Sequence, residues 1–171
     1  MRRSFMAAAI VIAEVGLSTF GASPTEAAVF AVGPPSDGFA SAGTCMDVFR
    51  NNPAARTQVI AFDCHAGPNQ QFQFIGSGVS SLTCPTCQNI YTMAGQRCLQ
   101  MTPSQTGGPP IATSEDCQPN LPAQSFRYQG GRIITVGITA GMFCLAMVQI
   151  DSPLVFTPCI AGDPNQQWQI K

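Results

Sequence analysis

The peptide AGPNQQFQF, residues 66–74, returns near the end of the chain as AGDPNQQWQI, residues 161–170. Each copy begins two residues after a cysteine, Cys64 in the first case and Cys159 in the second. A peptide that recurs along a chain is typical of a repeat architecture, in which one structural unit is built several times. The sequence therefore predicts that this chain consists of copies of one unit.

The cysteines divide the chain into three such units. Similar intervals separate the members of three pairs, which are Cys45 with Cys64, Cys98 with Cys117, and Cys144 with Cys159. After each pair comes a glutamine that is followed two residues later by an aromatic residue: Gln70 and Phe72, Gln124 and Phe126, Gln166 and Trp168. This pattern predicts three units of about 40 to 50 residues, over about 29–75, 76–128 and 129–171.

The ordered segments of each unit alternate with a period of two, which is typical of β-strands. Phe72 and Phe74 alternate in this way, and so do Phe126 and Tyr128. Turn signals such as TPSQTGGPP (102–110) and YQGGR (128–132) separate the strands, and no apolar pattern has a helical period. We expect an all-β protein of three homologous four-strand units that close into a barrel with a hairpin cap, because closure removes exposed strand edges. The aromatic residues of the repeat are interpreted as core.

The first residues have the pattern of a secretory signal peptide. Two arginines precede an apolar run, and small residues follow it up to Ala27 and Ala28, which predicts a signal peptide over residues 1–27. Glu14 interrupts the apolar run and disfavours a membrane anchor. We therefore expect a secreted protein without membrane insertion. The net charge of -1 supplies no basic field for a phosphate backbone, so nucleic acid is not an expected partner.

Eight cysteines in a secreted chain indicate disulfides. Besides the three repeat pairs, Cys84 and Cys87 form a C-x-x-C pattern in a segment inserted between the first two units. Such a pattern can mark half of a zinc site or a redox dithiol, but we favour a local Cys84–Cys87 disulfide. The only histidine, His65, is interpreted as a solvated loop residue. No metal, cofactor or catalytic residue is expected.

Three motifs carry a resemblance to a known family. GTCMDV (43–48), NQQF (69–72) and NQQW (165–168) resemble the repeat of ricin-type (R-type) lectins, which contain a Q-x-W motif in each of three units. The resemblance covers the chain from about Val29 to Lys171. It implies a β-trefoil with pseudo-threefold symmetry, in which the repeated peptide belongs to the core hairpin of each unit.

The resemblance also implies a carbohydrate site in the first unit. In R-type lectins a carboxylate lies two residues after the first cysteine, an aromatic residue lies two before the second, and an Asn-Gln pair follows. The first unit has Asp47, Phe62, Asn69 and Gln70 at these places. Arg50 and Arg56 are interpreted as residues at the rim that favour an acidic glycan.

The other two units lack this set. The second unit has Gln100 and Glu115 at the acid and aromatic places. The third has Ala146 and Thr157, and Phe156 is expected to point to the opposite face. A single site is therefore expected.

The sequence thus predicts a secreted, non-enzymatic lectin that binds a terminal glycan or glycoprotein, of galactose or N-acetylgalactosamine type as the resemblance implies. The alternative is a degenerate β-trefoil that acts as a protein-interaction module, such as a toxin binding subunit, an inhibitor or a secreted effector. A third reading, an enzyme's carbohydrate-binding module, would need a catalytic domain on a separate subunit.

Overall fold

The computed structural model describes residues 30–32, 43–76, 84, 86–136 and 141–171; the expected signal peptide lies outside these ranges. Within them, no helix is long and apolar enough to cross a membrane. The described part contains four single 3-10 turns and twelve short strands. The strands are β1 (Phe30–Val32), β2 (Thr44–Val48), β3 (Thr57–Asp63), β4 (Phe72–Gly76), β5 (Gln88–Thr92), β6 (Arg97–Thr102), β7 (Ile111–Glu115), β8 (Phe126–Gln129), β9 (Arg132–Thr135), β10 (Phe143–Ala146), β11 (Val155–Pro158) and β12 (Trp168–Ile170).

The strand pairing repeats three times along the chain. The second and third strands of each group of four form an antiparallel hairpin, namely β2–β3, β6–β7 and β10–β11. The fourth strand of each group pairs with the first strand of the next, as β4–β5, β8–β9 and β12–β1. The β12–β1 pair joins the two ends of the described chain, so the barrel closes. The predicted all-β trefoil with pseudo-threefold symmetry is confirmed.

The repeated aromatic residues meet in one core. Phe72, Phe126 and Trp168 are all buried in the same hydrophobic cluster, which confirms their interpretation as core residues. The indole Nε1 of Trp168 donates a hydrogen bond of 2.9 Å to the carbonyl oxygen of Leu145. Phe156 is also buried, and its ring stacks on Phe126 with the centroids 5.9 Å apart. Phe156 therefore faces the core, away from the position that Thr157 occupies.

All eight cysteines are paired. The disulfides are Cys45–Cys64, Cys84–Cys87, Cys98–Cys117 and Cys144–Cys159, the pairs that the sequence predicts. Because the sulfurs of Cys84 and Cys87 are bonded to each other, neither is available as a zinc ligand in this structure.

The glutamine of the repeated peptide makes the same two hydrogen bonds in each unit. Its Oε1 accepts from the backbone N–H directly after the second cysteine, with a distance of 2.8 Å in all three units. Its Nε2 donates to the carbonyl oxygen of the residue directly before that cysteine, at 2.8 to 2.9 Å. The glutamines, Gln70, Gln124 and Gln166, are fully buried. Buried amides need such partners, which explains why this residue recurs.

The hydroxyl of Tyr128 donates a hydrogen bond of 2.8 Å to the carbonyl oxygen of Trp168. Burial raises the pKa of this hydroxyl above its ordinary value. Since the folded state holds the proton more tightly than the unfolded state, the resulting stabilisation is complete below the ordinary tyrosine pKa of about 10 and is lost as the pH rises through the folded pKa. In the Tyr91→Phe variant, which retains one of the two tyrosines, we expect tyrosinate absorbance to appear with a midpoint above pH ~10. A midpoint at or below that value would contradict the burial argument.

Candidate functional site

The carboxylate of Asp47 is the centre of the candidate site. Asp47 lies in β2, directly opposite Ile60 of β3, and its side chain is only 3% exposed. The Nδ2 of Asn69 donates to both carboxylate oxygens at 2.8 Å, and the Nε2 of Gln70 donates to Oδ2 at 2.9 Å. A buried charge is costly unless donors surround it. The 3-10 turn Pro68–Gln70 supplies two of those donors from neighbouring positions.

The imidazole of His65 is the third partner of Asp47. Its Nε2 lies 3.2 Å from Asp47 Oδ2. Its Nδ1 accepts the backbone N–H of Gly67 at 3.1 Å, so the neutral ring carries its proton on Nε2 and donates to the carboxylate. A Cβ at position 67 would lie 2.7 Å from the ring, and glycine is therefore needed for this close approach. His65 is thus an exposed loop residue as interpreted, with 44% of its side chain accessible, but its contact with Asp47 was not expected from the sequence.

The ring of Phe62 lies on the same cavity as Asp47. Phe62 follows Ile60 by two residues in β3 and is 38% exposed. Asp47, Phe62 and Asn69 line one cavity of about 260 Å³, together with His65. The rings of Phe62 and His65 meet edge to face with their centroids 6.1 Å apart. The cavity therefore combines a carboxylate, an exposed ring and fixed N–H donors.

Gln70 does not reach the cavity. Its side chain is fully buried, and its amide is used by Asp47, by the carbonyl oxygen of Asp63 and by the backbone N–H of His65. The direct ligand contact expected for Gln70 is thus replaced by a bracing role, since its amide holds the carboxylate and the turn in place.

The sequence motif did not assign Phe49 to the site, whereas Arg50 was expected at the rim of the site. Phe49 lies two residues beyond Asp47, so the period of two would have indicated the same side of the strand. Arg50 follows it, and its guanidinium carbon lies 4.8 Å from the Phe49 ring centroid. Both residues line the cavity. Arg56, which was expected at the same rim, lines a different cavity in the second unit, and that expectation is wrong.

The corresponding places in the other units have different chemistry. In the second unit Gln100 and Glu115 line a larger cavity of about 670 Å³ whose described wall contains no aromatic ring. The Oε1 of Gln100 accepts from the Nε2 of Gln124 at 2.9 Å. In the third unit Gln166 donates to Thr157 Oγ1 at 2.9 Å, and Ala146 supplies no carboxylate. Among the described residues at these corresponding places, those of the first unit alone combine an acid with an aromatic ring.

Comparison with known proteins identifies the fold through solved structures. No family model matches the chain, and no curated protein matches it in sequence. Solved structures do match. The earthworm R-type lectin C-half in complex with GalNAc is 17% identical with a TM-score of 0.60, over 85% of this chain and 98% of that one. The Vibrio vulnificus hemolysin/cytolysin β-trefoil lectin with N-acetyl-D-lactosamine is 20% identical with a TM-score of 0.57, over 85% and 93%.

A designed threefold-symmetric protein, ThreeFoil, is also similar, with 15% identity and a TM-score of 0.62 over 84% of this chain and 96% of that one. These alignments span nearly the whole of each matched chain. At such low identity they establish the architecture and not the ligand. The chain therefore has the β-trefoil fold that R-type lectins share.

Proposed function

We propose that this chain is a secreted, non-enzymatic lectin that binds a terminal glycan through one site in its first unit. The observation that carries the proposal is the convergence of Asp47, Phe62 and Asn69 on one open cavity. The fold brings the three together from β2, from β3 and from the turn that precedes β4.

The chemistry of this cavity suits a sugar ring. A sugar presents hydroxyl groups to hydrogen-bonding partners and a C–H face to an aromatic ring. Among the described residues, Asp47 Oδ1 accepts one hydrogen bond whereas Oδ2 accepts three, so Oδ1 keeps capacity for a hydroxyl donor. A charge-assisted bond of this kind is stronger than a neutral one. Phe62 offers its exposed face.

A shallow site of this size binds weakly. We expect millimolar to high-micromolar affinity, about -4 to -6 kcal/mol, so that biological binding needs clustered glycans or several lectin copies. GalNAc and N-acetyl-D-lactosamine are bound in the earthworm and Vibrio structures. They favour galactose or N-acetylgalactosamine as the first ligands to test.

Secretion and the lack of catalysis are parts of the same proposal. The four disulfides and the leader pattern of residues 1–27 support an oxidising, extracellular location. The described residues in the wall of the first-unit cavity contain one carboxylate, Asp47, whereas glycoside hydrolysis ordinarily uses two. Binding without turnover is the function that this set supports.

The Phe62→Ala variant tests the proposal. Since aromatic contacts contribute about 0.5 to 1.5 kcal/mol, we expect its retention on immobilised galactose to fall by roughly three- to tenfold. Phe62 is partly exposed, so the fold should persist. Met93→Ala is the matched control because Met93 is 42% exposed and lies outside the cavity, and it should be retained like the wild type. Absence of retention for the wild type on galactose and on a broad glycan array would refute the proposal.

One observation favours the alternative function as a protein-interaction module. Val148 and Ile160 stand in the third unit where Phe49 and His65 stand in the first, and both are exposed. Apolar side chains exposed at corresponding positions suit a protein partner better than a sugar. Saturable binding of a protein that free galactose does not displace would support this function instead.

A further inference from the structure

We propose that the first-unit site selects acidic saccharides and that Arg50 is the residue responsible for this selectivity. The inference rests on the proposed lectin function and adds the class of ligand. The ligand is a sugar ring that carries an anionic substituent, either a carboxylate or a sulfate.

The backbone holds Arg50 at the wall of the cavity. Arg50 has φ 56° and ψ 24°, and Asn51 beside it has φ 52°. Residues other than glycine rarely adopt this left-handed conformation, and such strain concentrates at functional sites. The guanidinium lies over the ring of Phe49, a cation–π contact that restricts its motion. Arg50 lines the cavity, and its backbone conformation and its contact with Phe49 both limit where the guanidinium can lie.

The positive charge of Arg50 has no anionic partner in the described part of the chain. The ion pair there joins Arg97 to Asp116, and the contact of His65 with Asp47 becomes a second one only when the imidazole is protonated. Asp47, the carboxylate of the same cavity, is held by Asn69, Gln70 and His65 instead. Arg50 thus presents a guanidinium that can donate to a carboxylate or sulfate, groups whose geometry it matches.

The cavity accommodates one ring with such a substituent. Its volume of about 260 Å³ lies just below the range of roughly 300 to 1,000 Å³ for drug-sized ligands. Asp47 would repel an anionic group placed beside it, so the acidic substituent must face Arg50 while the neutral hydroxyls face the carboxylate. The two charges therefore orient the ring as well as select it.

The test compares one neutral sugar with two acidic forms of the same ring. Dissociation constants of methyl galactoside, methyl galacturonoside and galactose 6-sulfate are measured by NMR titration of isotope-labelled protein. We expect the wild type to bind the acidic sugars roughly three- to fivefold more tightly, the scale of a partly exposed ion pair. In Arg50→Gln this ratio should fall to about one. Added salt should reduce the ratio in the wild type, because salt screens exposed charges.

Arg56→Gln is the matched control. Arg56 is also an exposed arginine with positive φ, 64°, but it lines the second-unit cavity, so its variant should keep the wild-type ratio. Equal affinity for the neutral and acidic sugars in the wild type, or a preference that persists in Arg50→Gln, would overturn the inference and leave the lectin function standing. Failure of all three sugars to bind the wild type would overturn the inference, and the lectin function itself would then be decided by the glycan array. A preference for only one acidic form would identify the substituent.

Discussion

Replacement of Trp168 by alanine is expected to lower the free energy of unfolding by about 3 to 5 kcal/mol, the usual cost of truncating a large buried aromatic residue. Trp168 is buried at the closure of the barrel, where β12 pairs with β1. The truncation also removes the donor to the Leu145 carbonyl oxygen, which leaves a buried acceptor without its partner. The melting temperature should fall by roughly 10 to 20 °C.

Trp168→Phe is the matched control, since phenylalanine stands at this place in the first two units, as Phe72 and Phe126. This variant keeps an aromatic ring but loses the indole hydrogen bond and some side-chain volume. We therefore expect the free energy of unfolding to fall by about 1 to 2 kcal/mol. Chemical denaturation with the disulfides intact, followed by circular dichroism, measures both variants. Tryptophan fluorescence is unsuitable because both variants remove the single tryptophan of the chain. Equal losses in the two variants would show that the ring does not contribute to the core.

Replacement of Asp47 by asparagine is expected to weaken glycan binding by at least about tenfold, because the charge that strengthens the hydroxyl contacts is removed. The substitution keeps the size of the side chain. It nevertheless disturbs the site, since Asn69 Nδ2 donates to both carboxylate oxygens. Whichever way the new amide is turned, its NH2 group faces the NH2 group of Asn69.

The same replacement should also lower the free energy of unfolding by about 1 to 3 kcal/mol, the cost of a buried donor without an acceptor. Loss of binding and loss of stability are therefore measured on the same preparation, by galactose retention and by chemical denaturation. Retention of the Asp47→Asn variant equal to that of the wild type would show that the carboxylate does not bind the ligand.

Gln100→Ala is the control for position 47. Gln100 occupies the corresponding place in the second unit and accepts one neutral hydrogen bond from Gln124. Its loss should cost no more than about 1.5 kcal/mol and should leave galactose retention unchanged. A fall in retention as large as that of Asp47→Asn would indicate that the ligand binds in the second-unit cavity instead.

The architecture follows from local features that the sequence repeats three times. Phe72, Phe126 and Trp168 each follow a buried glutamine by two residues, and the disulfides recur at the same places. Whether each of these aromatic side chains faces the core depends on its place in a local strand, because successive residues of a strand point to opposite sides. Three independent copies of such a local pattern make the closed barrel the consistent solution.

The candidate site could be predicted only in part. The resemblance to the R-type lectin repeat implies Asp47, Phe62 and Asn69 as site residues, and the structure brings these three to one cavity. They do not distinguish Asn69 from its neighbour Gln70, whose side chain is buried, because adjacent residues in a 3-10 turn point in different directions and the turn geometry decides which one faces the ligand.

The sequence by itself determined the repeat, the strand pattern and the residues that fill the core, because local periodicity and cysteine spacing encode them. Only the tertiary structure decided that His65 donates to Asp47, 18 residues away. It also decided which of the two arginines expected at the rim lies there, since Arg50 lines the site and Arg56 lines another cavity. These outcomes depend on the register of the β2–β3 hairpin and on the left-handed backbone conformations of Arg50 and Arg56. The spacing of residues in the sequence predicts neither the strand register nor a positive φ in residues other than glycine.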